Sequence, residues 1–289
     1  MTGDLYDATR PTVPSLARRR VARYLLPAIG AGVIAVWALL AILAPVLAPF
    51  RPDGVDVVVR LQAPSLGHLF GTDELGRDVF SRVLYGARTS LPAGLAVVAV
   101  AGVAGTLYGG IAAYVGGRLN GVMMRIADVV LAFPPLIIAM AIASALGIGI
   151  TNAVLSMVVV WWPQYARLSR GLVLAQRNQE YVQAARVLGY QPARILLRHI
   201  FPNALGPLIV LLTLDVGNAI ITFAALSFLG LGVVPPTPEW GAMVAGGRSL
   251  IAQWWVASFP GLAIFSVVLG FNFLGDGIRD WLDPQGRRR

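Results

Sequence analysis

Apolar positions fill the chain in long unbroken runs, and the breaks between those runs set its organisation. Uncharged stretches lie between Arg23 and Arg51 (27 residues), Arg88 and Arg118 (29), Asp128 and Arg167 (38), and Arg248 and Asp276 (27). A hydrocarbon core ~30 Å thick takes ~20 helical residues at ~1.5 Å each, so every run is long enough to span. The 38-residue run is too long for one helix and too short for two. It divides at Gly147-Ile148-Gly149-Ile150-Thr151-Asn152, a turn-rich break, if its first helix begins before Asp128. A further span must contain Asp215. The pattern thus predicts an all-α integral membrane protein with six transmembrane helices, near 25–48, 90–114, 122–146, 153–174, 205–231 and 252–276. They form a transmembrane body over 25–284, between tails at 1–24 and 285–289.

Two polar segments interrupt this pattern, a loop at 51–88 and a loop at 175–204. The second reads NQEYVQAARVLGYQPARILLRHIFPN from Asn178 to Asn203 and carries its own helix punctuation. Asn178 suits an N-cap, Glu180 sits in the first turn where the helix dipole favours an anion, and Gly189 supplies a left-handed stop. One helix is expected near 179–188. A second starts at Pro192, suited to the first helical position, and stops before Pro202. On the first, Tyr181, Ala184, Ala185 and Leu188 fall at i, i+3, i+4 and i+7, an apolar stripe with a small-residue centre. That stripe fits either a partner's groove or the protein's own helices and the headgroups.

Composition narrows the class. Mean hydropathy is +0.71, and only 13% of residues are charged, against roughly 25% in an average soluble domain. All 23 basic residues are Arg, so a phosphate-binding loop of the form GxxxxGK[ST] is excluded. With no Cys there are no disulfides, thiolate metal sites or cysteine nucleophiles, and two His do not make a histidine metal cluster. The net charge of +9 comes from dispersed arginines rather than one basic face, which argues for membrane orientation and against nucleic acid. With the N-terminus in the cytoplasm, the inner segments hold 17 arginines and the outer ones six, which places both termini and the 178–203 loop inside. The N-terminal run greatly exceeds the apolar core of a signal peptide and reads as a retained first helix.

The loop resembles the EAA loop of ABC importer permeases, in which E-A-A is followed after three residues by Gly and after nine more by I-x-L-P. Here Gln183-Ala184-Ala185, Gly189 and His199-Ile200-Phe201-Pro202 keep that spacing, with Gln183 in place of Glu. His199 in the Ile position is similar to the peptide-importer branch. FGTDELGRDVFSRVLYGARTSL (70–91), RIADVVLAFPPL (125–136) and ALSFLGLGVVPPTPEWGAM (225–243) resemble the dipeptide, oligopeptide and nickel importers. The likeness covers about residues 25 to 284, and the short first loop is similar to the DppC/OppC-type subunit. The resemblance implies a type I ABC importer permease fold and a non-catalytic subunit that imports di- or oligopeptides. It also implies a homologous (DppB/OppB-like) permease, two cytoplasmic ATPases holding ATP and Mg, and an extracytoplasmic substrate-binding protein. Nickel chelates, glutathione or another peptide-like solute remain open as cargo, and a self-sufficient secondary transporter is the competing class. No cofactor is expected on this chain.

On that reading Glu180, Tyr181, Gln183, Ala184, Ala185, Leu188 and Gly189 couple to an ATPase, with Arg186 at the rim. Asp215, Asn218 and Thr222 share a helix face and are candidates for the translocation pathway, because ionisable residues inside spans are functional suspects. The stiff 235–241 segment, with Pro236, Glu239 and Trp240, suits an outer gate, a binding-protein contact or simple loop rigidity. Asp73–Arg88 reads as an amphipathic interfacial helix with Phe80, Val83 and Leu84 on one face and an Asp78/Arg82 pair. Asp128 suits a local ion pair with Arg125 or a helix contact. Pro134-Pro135 should kink or break the third helix. Gly102, Gly105, Gly109, Gly110, Gly230 and Gly232 should permit close helix packing.

Overall fold

The structure is a computed structural model that describes residues 16–282, with side chains from residue 25 onward. Most of the expected 1–24 tail and all of the 285–289 tail lie outside the described residues. Ten α-helices follow in order among the described residues: α1 (Leu16–Leu47), α2 (Val79–Val115), α3 (Gly117–Leu131), α4 (Pro135–Leu146), α5 (Ile150–Gln176), α6 (Glu180–Val187), α7 (Pro192–Ile195), α8 (Phe201–Phe228), α9 (Trp240–Gly247) and α10 (Trp255–Leu282). A π turn, Leu196–Ile200, joins α7 to α8.

Four helical stretches are long and apolar enough to cross a membrane: α1, α2, α10, and the 37-residue run from Pro192 through α8. The α3/α4 pair adds a fifth if counted as one span, although it bends by 87° at its break. The expectation of six comparable spans is corrected accordingly. The difference lies in α5, whose 27 residues are long enough but include Gln164, Arg167 and Arg170. It packs against α2, α3, α4 and α8, which take up several of its polar side chains. Ser169 donates to the Thr106 carbonyl of α2 at 2.7 Å, and Gln164 donates to Asp215 of α8.

The core forms where α2, α5, α8 and α10 meet, with Val97, Met157, Tyr165, Ile220, Phe223 and Val267 among its buried members. Glycine sets the closest approach: a β-carbon at Gly109 would run into the Ala166 backbone of α5. Gly102, Gly105 and Gly110 are likewise hemmed by neighbouring residues, whereas Gly230 has open space around it and ends α8 instead. Gly30 of α1 faces Gly270 of α10, and Trp37 Nε1 donates to Ser266 Oγ at 2.9 Å across the same seam.

Local expectations fared unequally. The Pro134-Pro135 break is present, with Pro135 opening α4. No separate interfacial helix forms over 73–88; α2 starts at Val79 and runs through, with Val83 and Leu84 buried in the protein. The Asp78/Arg82 pair does not form. Asp78 caps α2 by accepting from Ser81 N at 2.8 Å and contacts His68 Nδ1 at 2.9 Å, while Arg82 lies 3.6 Å from Asp73. Asp128 pairs with Arg167 of α5 at 2.6 Å rather than with Arg125.

Candidate functional site

The α6 segment is short, tethered on one face and bare on the other. Its entry residue is Gln179, not Asn178, and Gln179 makes no side-chain cap bond. Gln183 closes the entry instead: its Nε2 donates to the Asn178 carbonyl at 3.0 Å, a bond that an ionised glutamate could not donate. At the other end Gly189 takes φ +78°, Gly189 N donates to Arg186 O at 3.0 Å, and Tyr190 N donates to Ala185 O at 3.2 Å. This crossed pair is a Schellman stop, and it satisfies carbonyls that the helix end would otherwise leave free.

Val182 and Ala185 turn inward. They share an apolar cluster with Ala113 of α2, Val173 of α5, Ile195, Leu196, Ile200 and Phe201. Ala185 is 3% exposed, so it anchors α6 and does not belong to an outward docking face as expected. The exposed side consists of Glu180, Tyr181, Gln183, Ala184, Val187 and Leu188, with Leu188 71% exposed. Val187 was missed in the sequence, although it stands three residues after Ala184 and beside Leu188. The second leg does not stop before Pro202. It passes through the π turn into α8, where Phe201 N reaches back to Leu196 O. His199 stacks on Tyr190 at 5.6 Å, and the Arg194 guanidinium lies 4.8 Å from the same ring, so the two legs are clamped together.

Asp215, Asn218 and Thr222 do lie in sequence along one stretch of α8, joined by bonds. Asp215 is 5% exposed, and its carboxylate accepts from Gln164 Nε2 at 2.6 Å and Asn218 Nδ2 at 3.3 Å. Thr222 Oγ1 donates to Asn218 O at 2.9 Å. Gln164 is the member that sequence reading missed; the signal was a lone amide beside Trp161-Trp162-Pro163 in an otherwise apolar run.

Glu239 and Trp240 are both fully buried, which corrects their assignment as an outer gate or binding-protein contact. Glu239 caps α9, accepting from Gly241 N at 2.9 Å and Ala242 N at 2.8 Å, and from Ser90 Oγ of α2 at 3.0 Å. Burial pushes its carboxyl above the usual glutamate range, and the two backbone donors pull the other way. Trp240 Nε1 donates to Val83 O at 3.0 Å, over a Gly86 that leaves room for the ring. Pro236 is exposed, and its carbonyl accepts from Arg82 at 3.4 Å.

A helical body with several stretches long and apolar enough to cross a membrane, holding one short, anchored, bare-faced helix outside its core, is that of a multi-pass membrane protein. Residues 105–288 match the family of binding-protein-dependent transport system inner membrane components, and the chain belongs to that family. It is 48% identical over 88% of its length, and 85% of the relative's, to a probable D,D-dipeptide transport system permease of Escherichia coli K12. It is 42% identical over 98% of its length, and 92% of the relative's, to a dipeptide transport system permease of Alkalihalophilus pseudofirmus. A glutathione transport system permease of Escherichia coli O6:K15:H31 is 44% identical over 85% of this chain and 82% of its own. Among solved structures, the inward-facing MetNI methionine ABC transporter aligns with a TM-score of 0.55 at 20% identity, over 68% of this chain and 96% of that one. The fold is that of a type I ABC importer permease.

Proposed function

We propose that this chain is the permease subunit through which an ATP-driven importer moves di- and oligopeptides across the inner membrane. The observation that carries the proposal is the α6 face: Tyr181, Ala184, Val187 and Leu188 are exposed together on a helix whose opposite side is fixed in the body. Small residues on a rigid helix allow close approach inside a partner's cleft, where Tyr181 is the side chain suited to anchor the contact. The partners are two cytoplasmic ATPases, which hold ATP and Mg, a homologous permease, and an extracytoplasmic binding protein that selects cargo. The chain itself binds no cofactor and catalyses no reaction. Both termini and α6 face the cytoplasm, in keeping with the arginine bias.

Relatives named for dipeptides support the cargo class, and the glutathione permease keeps a second peptide-like solute in view. Reconstituted vesicles test the reading directly. Uptake of a labelled dipeptide should require ATP, both permeases, the ATPases and the binding protein together. Uptake by this chain alone, driven by an ion gradient, would place it among secondary transporters and overturn the proposal. Uptake of glutathione or a nickel chelate in preference to the dipeptide would overturn the cargo only.

A further inference from the structure

α3 lies across the bundle rather than along it. Arg170 Nε of α5 donates to Asn120 Oδ1 at 2.8 Å, and Arg167 Nη2 donates to Asp128 Oδ1 at 2.6 Å. The α3 partners are eight residues apart, roughly 12 Å of helix, whereas the two arginines are three residues apart, roughly 4.5 Å. That mismatch accords with α3 crossing α5 rather than lying alongside it. The direct measure is the bend: α4 packs against α5, and α3 meets α4 at 87°.

The surface of α3 falls into three sectors. Met124 and Ala127 are buried, Met124 against Ala112 of α2 and Ala166 of α5. Leu119, Val122, Ile126 and Val129, at i, i+3, i+7 and i+10, are 49 to 63% exposed. Beside that stripe stand Arg118 and Arg125, one above the other at i, i+7, both exposed, and neither forms an ion pair with a described residue. A spanning helix leads into the stripe: Val100, Val103, Leu107, Ile111 and Val115 form an exposed apolar row down α2, ending two residues before α3. The end concerned is that of α6, because Ala113 shares the cluster of Val182 and Ala185.

We infer that α3 is an in-plane membrane helix on the α6 side of the bilayer, with its apolar stripe among the acyl chains and Arg118 and Arg125 binding anionic phospholipid headgroups. The continuity with α2 supplies the apolar neighbour, and the two unpaired guanidiniums supply charge complementarity to phosphate. The inference needs only a membrane protein and stands apart from the peptide cargo.

Because the chain contains no cysteine, single labels report without ambiguity from this subunit. Val122→Cys, Val129→Cys and Gly121→Cys variants, labelled with bimane in the complete transporter, are placed in nanodiscs of phosphatidylglycerol and phosphatidylcholine, with the unsubstituted transporter as background. Nitroxides on the acyl chains should quench the labels at 122 and 129, while 121, whose added β-carbon meets nothing within 4 Å, should react fastest with a charged thiol reagent. Labels at 122 and 129 that escape quenching overturn the in-plane placement, and labels shielded only when the ATPases are bound assign the stripe to a protein contact instead. Replacing both arginines, as Arg118→Gln with Arg125→Gln, should weaken phosphatidylglycerol retention in native mass spectrometry by roughly fivefold per arginine at low salt. Unchanged retention overturns the headgroup site.

Discussion

The two ends of this bundle handle polar residues in opposite ways. At the α9 end several buried carboxylates are used within the chain: Asp73 accepts from Leu75 N, Arg77 N and Arg77 Nε, Asp78 from Ser81 N, and Glu239 from three donors. Trp240 is locked between Val83, Gly86 and Trp37. At the α6 end the interior contacts are apolar and confined to one side of the helix, and Ala184, Val187 and Leu188 remain exposed. Buried hydrogen bonds make a rigid frame, since each broken one strands a donor or acceptor. Exposed small and apolar side chains cost nothing to keep and become favourable only when another surface covers them. The same motif-like density in sequence therefore marks structure at one end and, on the proposed function, an interface at the other.

The contrast is sharpest in the effect of substitution. Glu239→Ala leaves Gly241 N, Ala242 N and Ser90 Oγ without their acceptor and should cost about 3 kcal/mol of stability, read as a lower melting temperature in detergent. The raised Glu239 carboxyl adds a signature: the folded chain holds a proton that the unfolded chain has already lost. Stability from this group is greatest below the ordinary glutamate range and falls as pH rises towards the folded value. Glu239→Gln keeps an acceptor and should flatten that dependence; a wild-type slope in this variant would show that the carboxyl does not cause it.

Next in size is Ala184→Trp, on the bare face of α6. Transport per ATP hydrolysed should fall roughly thirtyfold, as for loss of a ~2 kcal/mol hot-spot contact, while melting shifts by less than about 0.5 kcal/mol. Coupled transport at the normal rate would erase the proposed difference between the two ends. Smallest is Tyr181→Phe, which removes an exposed bond to Gln176 Oε1 of 2.8 Å. It should cost about 0.5 kcal/mol of stability or less and leave uptake near the unsubstituted rate.

Local chemistry was legible wherever one residue type dictates the backbone. Gly189 ends α6 in a left-handed turn, and Pro134-Pro135 breaks the third span, because sterics settle both within a few residues. The inward face of α6 was not legible, since the stripe pattern gives an apolar side without saying whether it meets this chain or another. Ala185 faces Val173 and Ile200 only because α5 and the π turn bring them there. Glu239 reads as an exposed loop acid until Ser90, 149 residues away, arrives to donate to it. The helix expected near 153–174 is present as α5, but the partners of its polar residues were not legible: Gln164 meets Asp215 and Arg170 meets Asn120, both distant in sequence.

The π turn between α7 and α8 has a mechanical consequence. It keeps Pro192 to Phe228 one unbroken helical run of 37 residues, about 55 Å long at ~1.5 Å per residue. One end belongs to the cluster that seats α6, and the other reaches the turn before α9. Such a run acts as a lever arm: ~5° of tilt about one end sweeps the other through roughly 5 Å, by the same rise per residue. On the proposed function, a nudge at α6 would thereby be geared up to a displacement on the scale of a side chain at the far end of the run.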